Sequence, residues 1–214
     1  MPGARVISVN RGPVADLEMG GRPGRSAIDK RPAAGPVAVG QLGLAADEHY
    51  DTENHGGGEQ AVYAYAREDL DWWVEQLGRE LRNGQFGENV TTSGLDISAA
   101  LIGETWQLGT AVVQVTAARI PCATFRAWMG EERWVRRFAA PGRPAAYLRV
   151  LTEGEVAGQD EVRVISRPDR AVTVAESMRA FYGDQDIMRR LLDVPGRGAS
   201  WDAIGRRVLS RASA

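Results

Sequence analysis

The stretch that most constrains the fold is the apolar run Ala111-Val112-Val113-Gln114-Val115-Thr116-Ala117-Ala118 and the four residues after it, Arg119-Ile120-Pro121-Cys122. The run is rich in β-branched residues, is preceded by Gly109 and stops at polar punctuation, the pattern of a strand whose end feeds a turn. Pro121 fixes its own φ and holds Ile120 towards extended geometry, so the turn is stiff. Cys122 is the only cysteine of the chain. A thiol at a rigid strand end, three residues after an arginine, suits a thiolate that serves as soft metal ligand or nucleophile. The same residue also suits a small buried apolar role, the usual state of unbridged cysteines.

Composition excludes several classes. Of 214 residues, 43% are hydrophobic and 25% charged, enough for a globular core, and the net charge of -2 gives no argument for a nucleic-acid polymer or a membrane as partner. No apolar run approaches the ~20 residues of a membrane span. The N-terminus leads straight into a strand-like segment without a signal-peptide core, and a single cysteine fits a reducing cytoplasm, the expected location. One cysteine also excludes a cysteine-ligated iron–sulfur cluster, which needs about four thiolates.

The chain then reads in order. Residues 5–10 alternate as a short strand. Residues 11–34, rich in Gly, Pro and Arg and carrying Lys30, read as a long loop. Short strands come next at 37–39 and 42–44. A polar stretch then holds both histidines, His49 and His55, and ends in Gly56-Gly57-Gly58 before a strand over 61–66. Leu70, Trp73, Val74, Leu77 and Leu81 predict a helix over 67–82, ended by Asn83-Gly84. Residues 103–118 predict a hairpin turning at 108–110, and 124–139 a single helix. Strands are expected at 147–151 and 161–165. Thr173, Asp184 and Ser200 each mark a helix start, with Thr173-Val174-Ala175-Glu176 a capping box. The expected class is mixed α+β: a β-barrel with inserted helices over 1–168 and a three-helix appendage over 171–211, too small for its own core and packed on the barrel. No Walker-type loop or Gly-x-Gly-x-x-Gly fingerprint is present.

Three polar islands stand at strand or helix junctions: His55-Gly56-Gly57, Phe86-Gly87-Glu88-Asn89 with Val90-Thr91 after it, and Arg119-x-Pro121-Cys122. Together with Arg149-Val150-Leu151 and the later Gly154, Val156, Gly158 and Asp160, they resemble the MOSC family, named after the C-terminal domain of molybdenum cofactor sulfurases. The helical tail is similar to the appendage of its stand-alone bacterial branch, which includes reductases of N-hydroxylated nucleobases such as 6-N-hydroxylaminopurine. The resemblance implies a barrel holding the molybdenum cofactor (Mo-molybdopterin), with Cys122 as metal ligand. It also implies reduction of an N-hydroxylated small molecule to an amine and water. In that frame Asn89 would hydrogen-bond a metal oxo group or substrate, and His55 would contact cofactor or substrate. Arg119 would bind the cofactor phosphate, Gly56 and Gly57 would admit the pterin closely, and Thr91 would join the cofactor-binding set. Glu88 divides evenly between that set and bracing its own turn. Gln60 stands where the family usually has a basic residue.

Rival readings are a zinc hydrolase built on His49, Asp51, His55 and Cys122, a non-reductive cofactor carrier or sulfur-transfer module with a Cys122 persulfide, and a plain interaction domain. A reductase of this composition has no electron source of its own and implies a separate electron-donor protein; Arg126, Arg133, Arg136 and Arg137 read either as an ordinary solvated helix face or as a docking surface for an acidic donor. A homodimer is one possible assembly.

Overall fold

A computed structural model of the chain describes residues 3–50, 56–170 and 172–210. Thirteen strands are described: β1 (Arg5–Arg11), β2 (Ala15–Glu18), β3 (Pro23–Ser26), β4 (Arg31–Pro32), β5 (Val37–Gly40), β6 (Gly43–Leu44), β7 (Val62–Ala66), β8 (Val90–Ser93), β9 (Thr105–Leu108), β10 (Ala111–Ala118), β11 (Ala146–Thr152), β12 (Gly154–Val156) and β13 (Val162–Ser166). Eight form the main sheet in the order β13-β9-β10-β11-β7-β8-β1-β4; β12-β5-β6 and the β2-β3 hairpin form two small sheets. All neighbours are antiparallel except β7 and β8. The two ends of the main ladder meet: Arg5 bridges Glu161, and Val162 N and Val6 N donate to Ala4 O and Asp160 O at 2.9 Å each. The sheet is therefore curled until its edges touch, which removes much of the free edge an open sheet would expose.

The expected strand at 111–118 is β10, the central member of the ladder. Its alternating residues Ala111, Val113 and Val115 are buried. Its register with β11 slips between Val115 and Ala117. Such a slip bends a strand and re-aims the residues beyond it. Here it turns the strand end that delivers Arg119, and the Thr116 hydroxyl at the slip donates to Glu59 O and Tyr147 O.

Three helices interrupt the strands: α1 (Arg67–Leu77), α2 (Ala123–Met129) and α3 (Trp134–Ala139). Two expectations are corrected here. The first helix stops at Leu77, not Arg82, because Gly78 takes a left-handed conformation (φ 63°) and its N–H bonds Val74 O. The predicted helix over 124–139 is two helices, because Gly130 caps α2 in the same way (φ 67°). Nor is 11–34 a plain loop: Gly20-Gly21 turns the β2-β3 hairpin, with Met19 and Arg22 exchanging backbone bonds.

Trp73, Phe86, Phe125, Trp134 and Phe138 are fully buried in one aromatic cluster, with Trp73 stacked on Phe138 and Phe86 edge-on to Phe125 at 5.2 Å. Each such side chain contributes roughly 2–3 kcal/mol of burial. The cluster ties α1, α2 and α3 to Phe86, and so locks the turn at 84–89 against the segment that starts at Cys122.

The tail forms α4 (Val174–Phe181), α5 (Gln185–Leu192) and α6 (Ser200–Ser210). The capping box at Thr173 and Glu176 is present, and Asp184 caps α5 through Ile187 N. Met178, Ile187, Met188, Leu191, Trp201 and Val208 join the same core as the sheet. Among the described residues no helix is long and apolar enough to cross a membrane.

Candidate functional site

The segments that the sequence singles out surround one cavity that opens to solvent. Its wall includes Cys122, Arg119, Asn89, Gly56 and Gly87, together with residues that no motif marks as site residues: Lys30, Tyr63, Tyr147, Gln60 and Arg25.

Cys122 is half-buried and is the N-cap of α2; its sulfur accepts from Phe125 N at 3.5 Å and lies 3.9 Å from the Arg119 guanidinium. Donors aimed at sulfur favour negative charge on it. Arg119 is 4% exposed, held over the Phe125 ring at 4.8 Å and the Tyr63 ring at 5.8 Å, with one N–H on Ile120 O. Burial lowers its pKa, but Tyr147, Tyr63 and Cys122 more than reverse this, so its charge is permanent. Among the described residues its Nε and Gln60 Oε1 have no hydrogen-bond partner. Burial pushes the Tyr63 and Tyr147 hydroxyls up in pKa, so both stay neutral donors.

Asn89 reaches the cavity wall, yet its amide is already engaged. Its Oδ1 accepts from Tyr63 N at 3.1 Å; its Nδ2 donates to Asp47 Oδ2 at 2.8 Å and Asn10 O at 3.4 Å. No amide proton is left for an acceptor such as an oxo group, whereas Oδ1 keeps one lone pair that a substrate donor could use; the side chain also positions Asp47. Glu88 and Thr91 lie behind the wall, both fully buried. Glu88 accepts from Gly84 N, Phe86 N at 3.0 Å and the Thr91 hydroxyl at 3.0 Å, which is the bracing role rather than a cavity contact. Asn10 Nδ2 donates to Thr91 at 3.0 Å, so Thr91 too is fully used inside the protein. Gly56 (φ 81°) packs its α-carbon on the His49 ring, where a β-carbon would come to 3.0 Å. Gly57 is exposed beside it and is not on the cavity wall. His55 lies outside the described residues, as does Asp51. Among the described residues, no three His, Cys, Asp or Glu side chains gather to hold a metal ion.

In sequence Lys30 reads as part of a loop. In the fold it is buried, lines the cavity and pairs with the buried side chain of Asp47, whose carboxylate also accepts from Asn89 Nδ2 and from Gly12 N at 3.0 Å. A signal for it exists in the sequence: the 26 basic residues comprise one lysine and 25 arginines.

Buttresses reach the cavity from the tail. Ser177 on α4 accepts from Ala118 N at 3.2 Å, one residue before Arg119. Arg149 joins Glu59, Gln114 and Gly196 O, and so links the loop beside Gln60 to the segment before α6.

Comparison with known proteins agrees with this geometry. The MOSC domain model matches residues 51–163. Protein YflK of Bacillus subtilis is 34% identical over 201 residues, covering 92% of this chain and 91% of that protein. A Gibberella moniliformis protein named reductase is 31% identical over 167 residues, which are 76% of this chain but 29% of that longer protein. The crystal structure of YiiM from Geobacillus stearothermophilus superposes with a TM-score of 0.79 at 29% identity, covering 96% of this chain and 99% of that one. By the extent of these matches, and by the cavity that its motifs jointly surround, the chain belongs to the MOSC domain family.

Proposed function

We propose that the protein is an oxidoreductase that binds the molybdenum cofactor and reduces N-hydroxylated compounds, N-hydroxylated nucleobases among them, to amines. The observation that carries this reading is the half-buried Cys122 sulfur on the wall of a cavity that also holds a buried, permanently charged arginine. The residues present fit the cofactor. Cys122 would be a soft ligand for the metal, and Arg119, whose Nε has no partner among the described residues, would take an anionic group. The left-handed backbone at Gly56 seats the His49 ring against the loop, and both residues line the cavity. When bound, the group supplies two-electron chemistry with oxygen exchange at the metal. The chain supplies the rest. Tyr63 and Tyr147 offer neutral hydroxyls, and the aromatic cluster holds the Cys122 and Glu88 turns at a fixed separation. Asn89 acts by positioning Asp47. Within this proposal His55 remains a contact to cofactor or substrate. A similarity to one protein named reductase supports the reaction class.

Electrons come in this reading from a separate donor protein. The test is molybdenum and pterin content of protein made in a molybdenum-replete host, measured with turnover of an N-hydroxylated base, for wild type and Cys122→Ser on matched preparations. Serine is close in shape but is a hard, protonated ligand near neutral pH, so turnover is expected to vanish while the fold persists. Full turnover by the serine variant with molybdenum bound would refute Cys122 as ligand. Loaded wild-type protein that does not turn over would instead identify a carrier.

A further inference from the structure

This chain uses arginine for every cation but one. The single lysine, Lys30, is 6% exposed and stands on the wall of the cavity that also holds Cys122. Among the described residues its ammonium has one hydrogen-bond partner, Asp47 Oδ1, which leaves two N–H groups for a ligand. Asp47 is fixed by Asn89 Nδ2 on its other oxygen and by Gly12 N on Oδ1 itself, so the ammonium is held in place rather than merely neutralised. An arginine here would keep the charge and the ion pair. What it would not keep is a proton that can leave, because a guanidinium does not deprotonate in proteins.

We propose that Lys30 is the catalytic proton donor for the oxygen that leaves the N-hydroxylated substrate, with Asp47 and Asn89 positioning its ammonium. The proposal rests on the reductase reading above. The balance is R–NH–OH plus two electrons and two protons giving R–NH2 and water. The N–O bond breaks, and the electrons come from the reduced donor protein. One proton passes from the Lys30 ammonium to the leaving oxygen. The other reaches the nitrogen from solvent, and solvent water also reprotonates Lys30.

The charges around Lys30 suit this role. Burial, the largest influence, lowers its pKa, against the opposing pull of Asp47 and Glu88. Arg82 donates to the Lys30 carbonyl, and Arg119 and Arg25 line the same cavity. Glu48 and His49 complete the titratable wall on its side. An amine whose proton leaves more easily is a better acid near neutral pH.

The experiment has two arms. In the first, protein labelled only at lysine Cε gives a single side-chain signal, since there is one lysine, and its pH titration reads Lys30 directly without cofactor or turnover. The titration is expected below the ordinary lysine value of 10.5, and lower still in Asp47→Asn. A titration at or above that value overturns the proposal. In the second arm, turnover is measured per bound molybdenum. Lys30→Arg is expected to keep wild-type cofactor content and lose turnover by about 100-fold or more, the usual scale of a lost general acid, together with the alkaline limb of the rate profile. Lys30→Ala is expected to be rescued by small primary amines with rates that track amine acidity, and not by guanidinium; this covers the case in which arginine does not fit. Wild-type rate per molybdenum in Lys30→Arg, or equal rescue by guanidinium, means that Lys30 only anchors an anion and overturns the proposal. Wild-type protein that binds molybdenum but does not turn over would remove the reductase reading, and this one with it.

Discussion

Glu88 is the clearest place to weigh a structural role against the chemical one that its motif suggests. Replacing it with alanine leaves Gly84 N, Phe86 N and the Thr91 hydroxyl without their acceptor in a fully buried turn. Each abandoned buried donor costs about 1–3 kcal/mol, partly offset because a buried carboxyl is no longer desolvated. The net expectation is about 2–5 kcal/mol. For a chain of this size, where each kcal/mol shifts Tm by roughly 2–4 °C, that is a fall on the order of 5–15 °C. Glu88→Gln keeps one acceptor oxygen and is expected to cost about 1–3 kcal/mol. The pH dependence separates the two variants. Burial raises the Glu88 pKa above its ordinary 4.5, although bonds from its own backbone, Gly84, Thr91 and Phe86 pull it down. The folded state therefore binds the Glu88 proton more tightly than the unfolded state does. That contribution is fully present below about pH 4.5 and is lost as pH rises through the folded pKa. Glutamine does not titrate. The Tm gap between wild type and Glu88→Gln should thus be widest at low pH and narrow towards neutrality, as read by calorimetry from pH 4 to pH 8. A gap that is constant or grows with pH would refute the assignment of burial as the dominant influence. Unchanged Tm in Glu88→Ala would refute the bracing role.

Two further outcomes are expected. Gly84→Ala should destabilise more than its size suggests, because Gly84 has φ 81° and a β-carbon would meet the Lys30 carbonyl at 2.4 Å; it should also disturb Lys30, visible as a shifted lysine signal, and an unshifted signal with unchanged Tm would contradict the contact. Donor-dependent turnover should fall with rising salt if exposed Arg126, Arg133 and Arg136 dock an acidic donor protein, whereas a flat response between low and physiological ionic strength would remove that surface from consideration; Arg137 is a weaker candidate, being tied to Glu131 at 3.2 Å and to Gln76 O.

The features legible in the sequence are those set by local rules. β10 is legible because β-branched residues run up to Pro121, and the caps at Thr173 and Asp184 because capping chemistry spans only three residues. Helix ends are misplaced where apolar periodicity continues past a glycine: Leu81 still falls on the α1 face in sequence, but Gly78 has already reversed the chain. The cavity is legible as a set of islands, since backbone turns need glycine and proline at fixed places. The chemistry of its far wall is not. Lys30 looks like one more loop cation until the fold places Asp47 against it, and Asn89 looks like a pure ligand group until Asp47 and Asn10 take up both its amide protons.

The contacts that build the cavity join residues far apart along the chain. Asn89 meets Asp47 across 42 positions, Thr116 meets Glu59 across 57, Asn10 meets Thr91 across 81 and Arg149 meets Glu59 across 90. Each requires a long loop to close before it yields any contact, and contacts of that kind form late. Neither the β9-β10 hairpin nor the α4–α6 tail supplies a residue of the cavity wall, so the pocket is complete only when distant parts of the chain have met.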